Sequence, residues 1–458
     1  MKAVMTGMRE GKKYTQERTI HADETIRNRE MRLVEVFPQV KYQKIHGFGG
    51  AFTDAAGYVY SLMGEKDRAD FMRTYFDPRE MGYTWGRTSI DSCDFSLEMY
   101  AAGDDPADTG LTHMEYTRGE KYMLPLLRDA EKTAGQPIRM MLTPWSPPAW
   151  MKTNASRVHG GSLREEYAGL WAEYICRYIA HCVDVGMDVR LLSSQNEPHA
   201  VQTWDSCIFT DEQERDFIRD HLAPALRRHG LDGRLSLLIW DHNKEHLLER
   251  AQAVLSGQDM LEAVGGFAFH WYSGDHFENV QMTGQQFPGK RMVFTEGCVE
   301  HSVWGTNAEL VGAIHYAHEY IGDLNGGTDT LIDWNLLLDE KGGPNHVGNY
   351  CDAPMMYDTQ SRQLHKKLSL DYIGHFSRHI RPGAIRLGVS LCCADIEATA
   401  AQNPDGSIAV VILNPSEQKQ DFFLRLNGSF YSFSLPAGAI MTCVSDGLPG
   451  NTPAEARS

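Results

Sequence analysis

The stretch Leu191-Leu192-Ser193-Ser194-Gln195-Asn196-Glu197-Pro198 decides how this chain is read. Its apolar residues stop abruptly at an amide and a carboxylate, as in a buried strand that delivers polar side chains to a solvent-accessible rim. Pro198 cannot donate to a sheet ladder. It also biases Glu197 toward extended backbone, which sets the carboxylate at the strand's carboxyl end. In a parallel barrel that edge carries the chemistry. Arg291-Met292-Val293-Phe294-Thr295-Glu296-Gly297 repeats the pattern and again ends on a glutamate. Two strand-terminal carboxylates are the pair that glycoside hydrolysis requires. The ordinary reading weighs against this, because with 61 acidic residues in the chain an arbitrary glutamate is a solvated surface charge. The company these two keep at other strand ends decides between the readings.

On either side of this stretch, short apolar runs recur. They start at Ile45, Tyr83, Arg139, Leu191, Leu235, Val264, Arg291 and Thr330, with helical or irregular sequence between them. Eight strands alternating with helices fit an α/β fold closed into a (β/α)8 barrel better than an open sheet. Tyr167, Leu170, Trp171, Tyr174, Ile175, Tyr178, Ile179, Cys182 and Val183 repeat at a period of 3.6 up to Gly186, which predicts a core-packed helix. From Ser377 the texture changes to short β runs, Ile408 to Leu413, Phe422 to Leu426, Phe430 to Leu435 and Ile440 to Val444, punctuated by Asn-Pro and Asn-Gly. These predict an antiparallel β module, to which the alternating run Met31 to Phe37 adds a strand. The expected organisation is residues 1–40 as amino-terminal β-sandwich strands after a charged, weakly patterned start, 41–376 as the barrel, 377–447 as the carboxy-terminal β-sandwich and 448–458 as a disordered tail.

A chain of 458 residues with net charge −17 and no Lys/Arg-rich run is expected to bind neither nucleic acid nor an anionic membrane; neutral substrates suit it. No run of 18 apolar residues marks an integral membrane segment, and Met1 to Gly11 is polar, so a cytoplasmic location is expected. The nine cysteines, among them Cys392 and Cys393 in a late strand, lack ligand spacing and read as reduced core thiols. No metal site and no cofactor are expected. Gly284 to Lys290 imitates a phosphate loop, but Arg291 stands where Ser or Thr is required and the loop precedes a strand. Neither composition nor motif specifies an oligomeric state.

The strand ends supply Asp94, Trp145, Asn196 and Glu197, His270-Trp271-Tyr272, Glu296, and Trp334-Asn335. Indoles cover the apolar faces of pyranose rings, and carboxylates and amides take the hydroxyls, so the set suits a carbohydrate or glycoside. At these residues, together with His46-Gly47-Phe48-Gly49-Gly50-Ala51-Phe52-Thr53-Asp54 and Pro144-Trp145-Ser146-Pro147-Pro148-Ala149-Trp150, the chain resembles glycoside hydrolase family thirty, the glucosylceramidase-like retaining β-glycosidases of the large barrel clan. The resemblance runs from about Val36 to Cys443. It implies a TIM barrel with a side β-sandwich formed from both termini, Glu197 as general acid/base and Glu296 as nucleophile. It further implies that Asn196 holds the sugar 2-hydroxyl, that Tyr272 orients Glu296, and that Asp94, Trp145 and Trp334 hold the sugar, with Arg87 and His270 beneath it. Arg87 reads equally as a structural ion-pair partner of a barrel carboxylate.

The activity implied is a retaining, exo-acting β-glycosidase, foremost a β-glucosidase. The alternatives are a β-xylosidase or β-fucosidase, an endo-β-glucanase or xylanase, and a carbohydrate-binding protein without catalysis. Retention requires the two carboxyls to stand about 5–5.5 Å apart. It also requires Glu197 to be raised to roughly 6 while Glu296 stays ionised.

Overall fold

The structure, a computed structural model, describes residues 1–26, 28–306 and 308–445. The expected tail at 448–458 lies outside the described residues. The described residues form two compact units, one within 48–308 and 330–367, the other within 1–47, 309–329 and 368–445.

The first unit holds the barrel. Eight parallel strands close in the order Gly47–Ala51, Trp85–Ile90, Arg139–Pro144, Asp188–Ser193, Ser236–Asn243, Gly266–His270, Arg291–Glu296 and Thr330–Asn335. These are the eight runs read from the sequence. Trp85, Met141, Leu191, Leu238, Ala268, Val293 and Ile332 fill the interior as one cluster, so the barrel is a packed core with chemistry only at its end. The glycines of the first strand let the neighbouring backbone approach: a Cβ on Gly49 would sit 2.0 Å from the Trp85 carbonyl oxygen. The predicted helix is Ala168–Asp184, with Trp171, Tyr174, Ile175 and Ile179 fully buried. It ends before Gly186, whose φ of +87° is available to glycine at no steric cost.

The other unit is a nine-stranded sheet with two helices, Glu309–Gly326 and Leu368–Ser377, packed together and against it. Residues from both ends of the strand order share one core, for example Ala3 and Met5 with Phe422, Leu424 and Leu435. The sheet therefore curls over itself into a sandwich. The strand near Leu33 runs from Leu33 to Lys44, pairing antiparallel with Ile385–Leu391 and parallel with Gln420–Leu426. The charged start is more ordered than its composition predicts. Lys2–Arg9 and Lys12–Thr19 form a hairpin around Glu10-Gly11, where both residues take positive φ. The second of these strands, KKYTQERT, is an exposed sheet edge, and its charges keep that edge from pairing further. The reading of Cys392 and Cys393 as strand residues also needs correction. The strand ends at Leu391; Cys392 still exchanges backbone hydrogen bonds with Leu33 and Arg32, but its side chain is exposed and that of Cys393 half-buried, so neither is a core thiol. Among the described residues no helix is long and apolar enough to cross a membrane.

Candidate active site

The carboxyl ends of the barrel strands meet at one level. Glu296 pairs in register with His270, and His270 with Asn243 on its other side. Arg87, buried in the second strand, holds this level together from below. Its Nη1 donates to Glu296 Oε2 at 2.5 Å, and its Nη2 donates to Asn196 Oδ1 at 2.8 Å and Asp241 Oδ2 at 3.0 Å. The two readings of Arg87 thus coincide, because the carboxylates it pairs with are the site's own. Tyr272 Oη donates to the other oxygen of Glu296 at 3.0 Å.

Asp241 is a residue the sequence reading missed. It follows the apolar run Leu237 to Trp240, so the strand-end rule that located Glu197 applies here one residue further on. A bulge between Trp240 and His242 breaks the register, and Asp241 takes a φ of +49°, which turns its carboxylate under the site. Asp241 Oδ1 accepts from Thr295 Oγ1 at 2.6 Å and faces His270 Nε2 at 3.1 Å; His270 Nδ1 in turn lies 3.3 Å from Glu197 Oε1. A chain of hydrogen bonds therefore runs from Arg87 through Asp241 and His270 to Glu197.

Glu197 departs from the expected extended backbone. Its φ is +44°, in the left-handed region. The preference imposed by Pro198 is outweighed by a fixed backbone, in which Glu197 N–H donates to the Asp241 carbonyl at 3.0 Å and Asn196 N–H to the Pro144 carbonyl at 2.8 Å. Such conformations cost on the order of 1–3 kcal/mol and persist where the surroundings over-determine them.

A cavity of about 270 Å³ opens above this floor, lined by Asp94, Trp145, Asn196, Glu197, Tyr272, Glu296 and Trp334 among others. Of the nine residues expected from the sequence, these seven line it, while Arg87 and His270 lie fully buried beneath. Trp145 and Trp334 stack on each other with centroids 5.5 Å apart and the Arg87 guanidinium against both rings. Each indole is only 2% exposed, and both line the cavity. Besides Asp241, the sequence reading missed His242, Asn243, Gln202, Trp204, Glu300 and Asn349 in the lining. Trp204 and Asn349 lie on loops and Glu300 on the two-residue strand Val299–Glu300, where no apolar run announces them. Asn349 Nδ2 donates to Asp94 Oδ2 at 3.1 Å.

Electrostatics in the free site reverse one expectation. Burial opposes the charge on Glu197, but the His270 hydrogen bond and the fields of His242 and His270 overcome it and draw the carboxyl down to about 2. Burial pushes Glu296 up, His270 and Arg87 pull against it, and the charge of Glu197 adds to the rise. Burial disfavours the imidazolium of His270, yet Glu296, Asp241 and Glu197 surround it and raise it to about 9. The expectation that Glu197 itself sits near 6 is therefore not met. The reason is the buried cation beside it: between about 2 and about 9 the Glu197–His270 pair carries one proton, and without substrate that proton resides on His270. Burial and the charge of Glu296 keep Asp94 well above the usual carboxylate range.

Comparison with known proteins adds a family. The family model "Glycosyl hydrolase family 30 TIM-barrel domain" matches residues 45–380, and "Glycosyl hydrolase family 30 beta sandwich domain" matches residues 383–443. The chain is 32% identical over 403 residues to the lysosomal acid glucosylceramidase of Mus musculus, covering 84% of this chain and 78% of that protein. It is 27% identical over 399 residues to an endo-1,6-beta-D-glucanase of Neurospora crassa, covering 82% and 80%. The crystal structure of SrfJ from Salmonella typhimurium superposes with a TM-score of 0.91 at 36% identity, covering 97% of this chain and all of that one.

Proposed function

The chain belongs to glycosyl hydrolase family 30, and on that premise we propose that it is a retaining, exo-acting β-glucosidase of the glucosylceramidase kind, with Glu296 as nucleophile and Glu197 as acid/base. That it is a glycoside hydrolase follows from the family; the stereochemistry, sugar and mode of attack are the proposal. The observation that carries it is the asymmetry between the two carboxylates. Arg87 and Tyr272 each occupy one oxygen of Glu296, fixing its orientation and leaving each oxygen a second lone pair for attack. Glu197 has a proton source instead, His270 at 3.3 Å.

In the first step Glu296 attacks the anomeric carbon while Glu197 protonates the departing oxygen, forming a glycosyl ester. Water deprotonated by Glu197 then releases the sugar with β configuration. A bound sugar displaces water from the cavity, and a drier site favours the neutral His270–carboxylic acid pair over the ion pair, moving the proton across the hydrogen bond onto Glu197. Exo action is supported by the cavity volume, about 270 Å³, which lies below the range of about 300–1,000 Å³ that takes drug-sized ligands and suits a single sugar ring.

The test is hydrolysis of aryl β-glucoside, xyloside, fucoside and galactoside alongside glucosylceramide and a β-1,6-linked glucan, with the anomer released followed by proton NMR. Turnover of the glucosides with β-glucose appearing first is the expected result. Cleavage of the glucan alone would move the protein to the endo-acting reading that the fungal relative represents, and α-glucose appearing first would sink retention.

A further inference from the structure

His242 Nδ1 is buried, has no hydrogen-bond partner among the described residues, and points at Glu197 Oε1 from 3.8 Å. His270 Nδ1 faces the same oxygen from 3.3 Å, and one donor atom from each of Glu197, His242 and His270 lies within 4.8 Å of the others. Two imidazoles and a carboxylate are a donor set for a borderline divalent cation, and neighbouring donors in a tetrahedral zinc site with bonds of about 2.0–2.1 Å stand about 3.3–3.4 Å apart. Two of the three spacings are already within about half an ångström of that value.

The support behind the donors is present as well. His270 Nε2 is held by Asp241 at 3.1 Å, and Asp241 by Thr295 and Arg87, the carboxylate–histidine arrangement that orients a metal-binding imidazole. Glu197, His242 and Asn243 line the cavity, so the remaining coordination position faces solvent.

We propose that Glu197, His242 and His270 form a site for a borderline divalent cation, Zn²⁺ being the type case, and that cation binding switches the enzyme off. The binding claim stands on the donor geometry alone; the inhibition rests on the acid/base reading of Glu197, whose Oε1 the cation would occupy. With three protein donors and one position open to solvent, the affinity is expected in the micromolar range, well short of a dedicated four-ligand structural zinc site. This departs from the expectation that the chain has no metal site: the sequence assigns Glu197 and His270 other roles, and no spacing signal marks His242.

The experiment is calorimetric titration of the full chain, and of His242→Gln and Glu197→Gln, with Zn²⁺ alone, for variants whose circular dichroism matches the unsubstituted chain. Surface histidines contribute equally to all three, so the difference isolates the site. The expected result is one micromolar equivalent that weakens at least tenfold in each variant, accompanied in the unsubstituted chain by loss of aryl β-glucoside hydrolysis over the same Zn²⁺ range. Unchanged stoichiometry and affinity in either variant would overturn the site. If Glu197→Gln loses the zinc equivalent yet still hydrolyses the glucoside normally, the metal site stands and the acid/base assignment falls.

Discussion

The floor of the site and its mouth are built by opposite rules. On the floor, Arg87, Asp241 and His270 are fully buried and meet one another's charges: Arg87 reaches Glu296, Asn196 and Asp241, and both ring nitrogens of His270 face a carboxylate. At the mouth, Gln202, Trp204, His242 and Glu300 are only partly buried, and His242 Nδ1 makes no hydrogen bond among the described residues. A buried charge without a partner costs several kcal/mol, so the floor must be complete before substrate arrives. The mouth is left open to a ligand. On the proposed function, orientation resides in the floor and recognition in the mouth, and variants on the two sides should fail differently.

The largest effect is expected from Glu296→Gln, which keeps the shape of the floor but removes the nucleophile. The value of kcat on an aryl β-glucoside should fall on the order of 10⁴-fold or more with little change in KM. A loss below tenfold would show that the covalent route is wrong. Glu197→Gln should cost about 10²–10⁴-fold on an alkyl glucoside, which needs protonation of its leaving group. The same variant should lose far less on a dinitrophenyl glucoside, whose leaving group departs unaided. Equal losses on both would deny Glu197 the acid role.

Asp241→Asn tests the floor as structure. It leaves Arg87 and the charged His270 without their shared anion and should destabilise the fold by about 3–5 kcal/mol, read as a lower midpoint in urea unfolding. An unchanged midpoint would mean that the ion-pair chain is not what holds the floor. The pH profile separates the regions next. His270 is raised to about 9, so the pair keeps its proton until pH climbs through that value. The alkaline limb of kcat/KM should therefore fall near 9 in the unsubstituted chain and shift to lower pH in His270→Gln, where Glu197 must hold the proton alone. A limb that does not move would remove His270 from the proton inventory. The smallest effect belongs to the rim: Asn349→Ala removes one hydrogen bond to Asp94 and should raise KM several-fold, matching about 0.5–1.5 kcal/mol.

Much of this contrast is legible in the amino-acid sequence. Runs such as Arg291 to Thr295 show where apolar packing stops, and a strand that ends on Glu296 or His270 places that side chain at the barrel's edge whatever the loops do. The rim is less legible. Trp204 and Asn349 sit on loops and Glu300 on a two-residue strand, none with a readable periodicity, and their convergence depends on chain paths that local pattern does not encode. The amino-terminal hairpin is obscured because Lys12 to Thr19 is an edge strand, where charge serves to block pairing and therefore resembles a loop.

Local pattern was enough to reach the barrel, the sandwich texture and the two glutamates, because hydrophobic periodicity and strand-end residues are signals that burial reads directly. Only the folded chain settles which glutamate is held by Arg87 and which by His270, that Glu197 adopts a left-handed backbone before Pro198, and that Asp241 turns under the site. Those outcomes depend on charges meeting in a desolvated space from strands far apart in the chain, where interaction energies are set by distances of about 3 Å that no spacing along the sequence specifies.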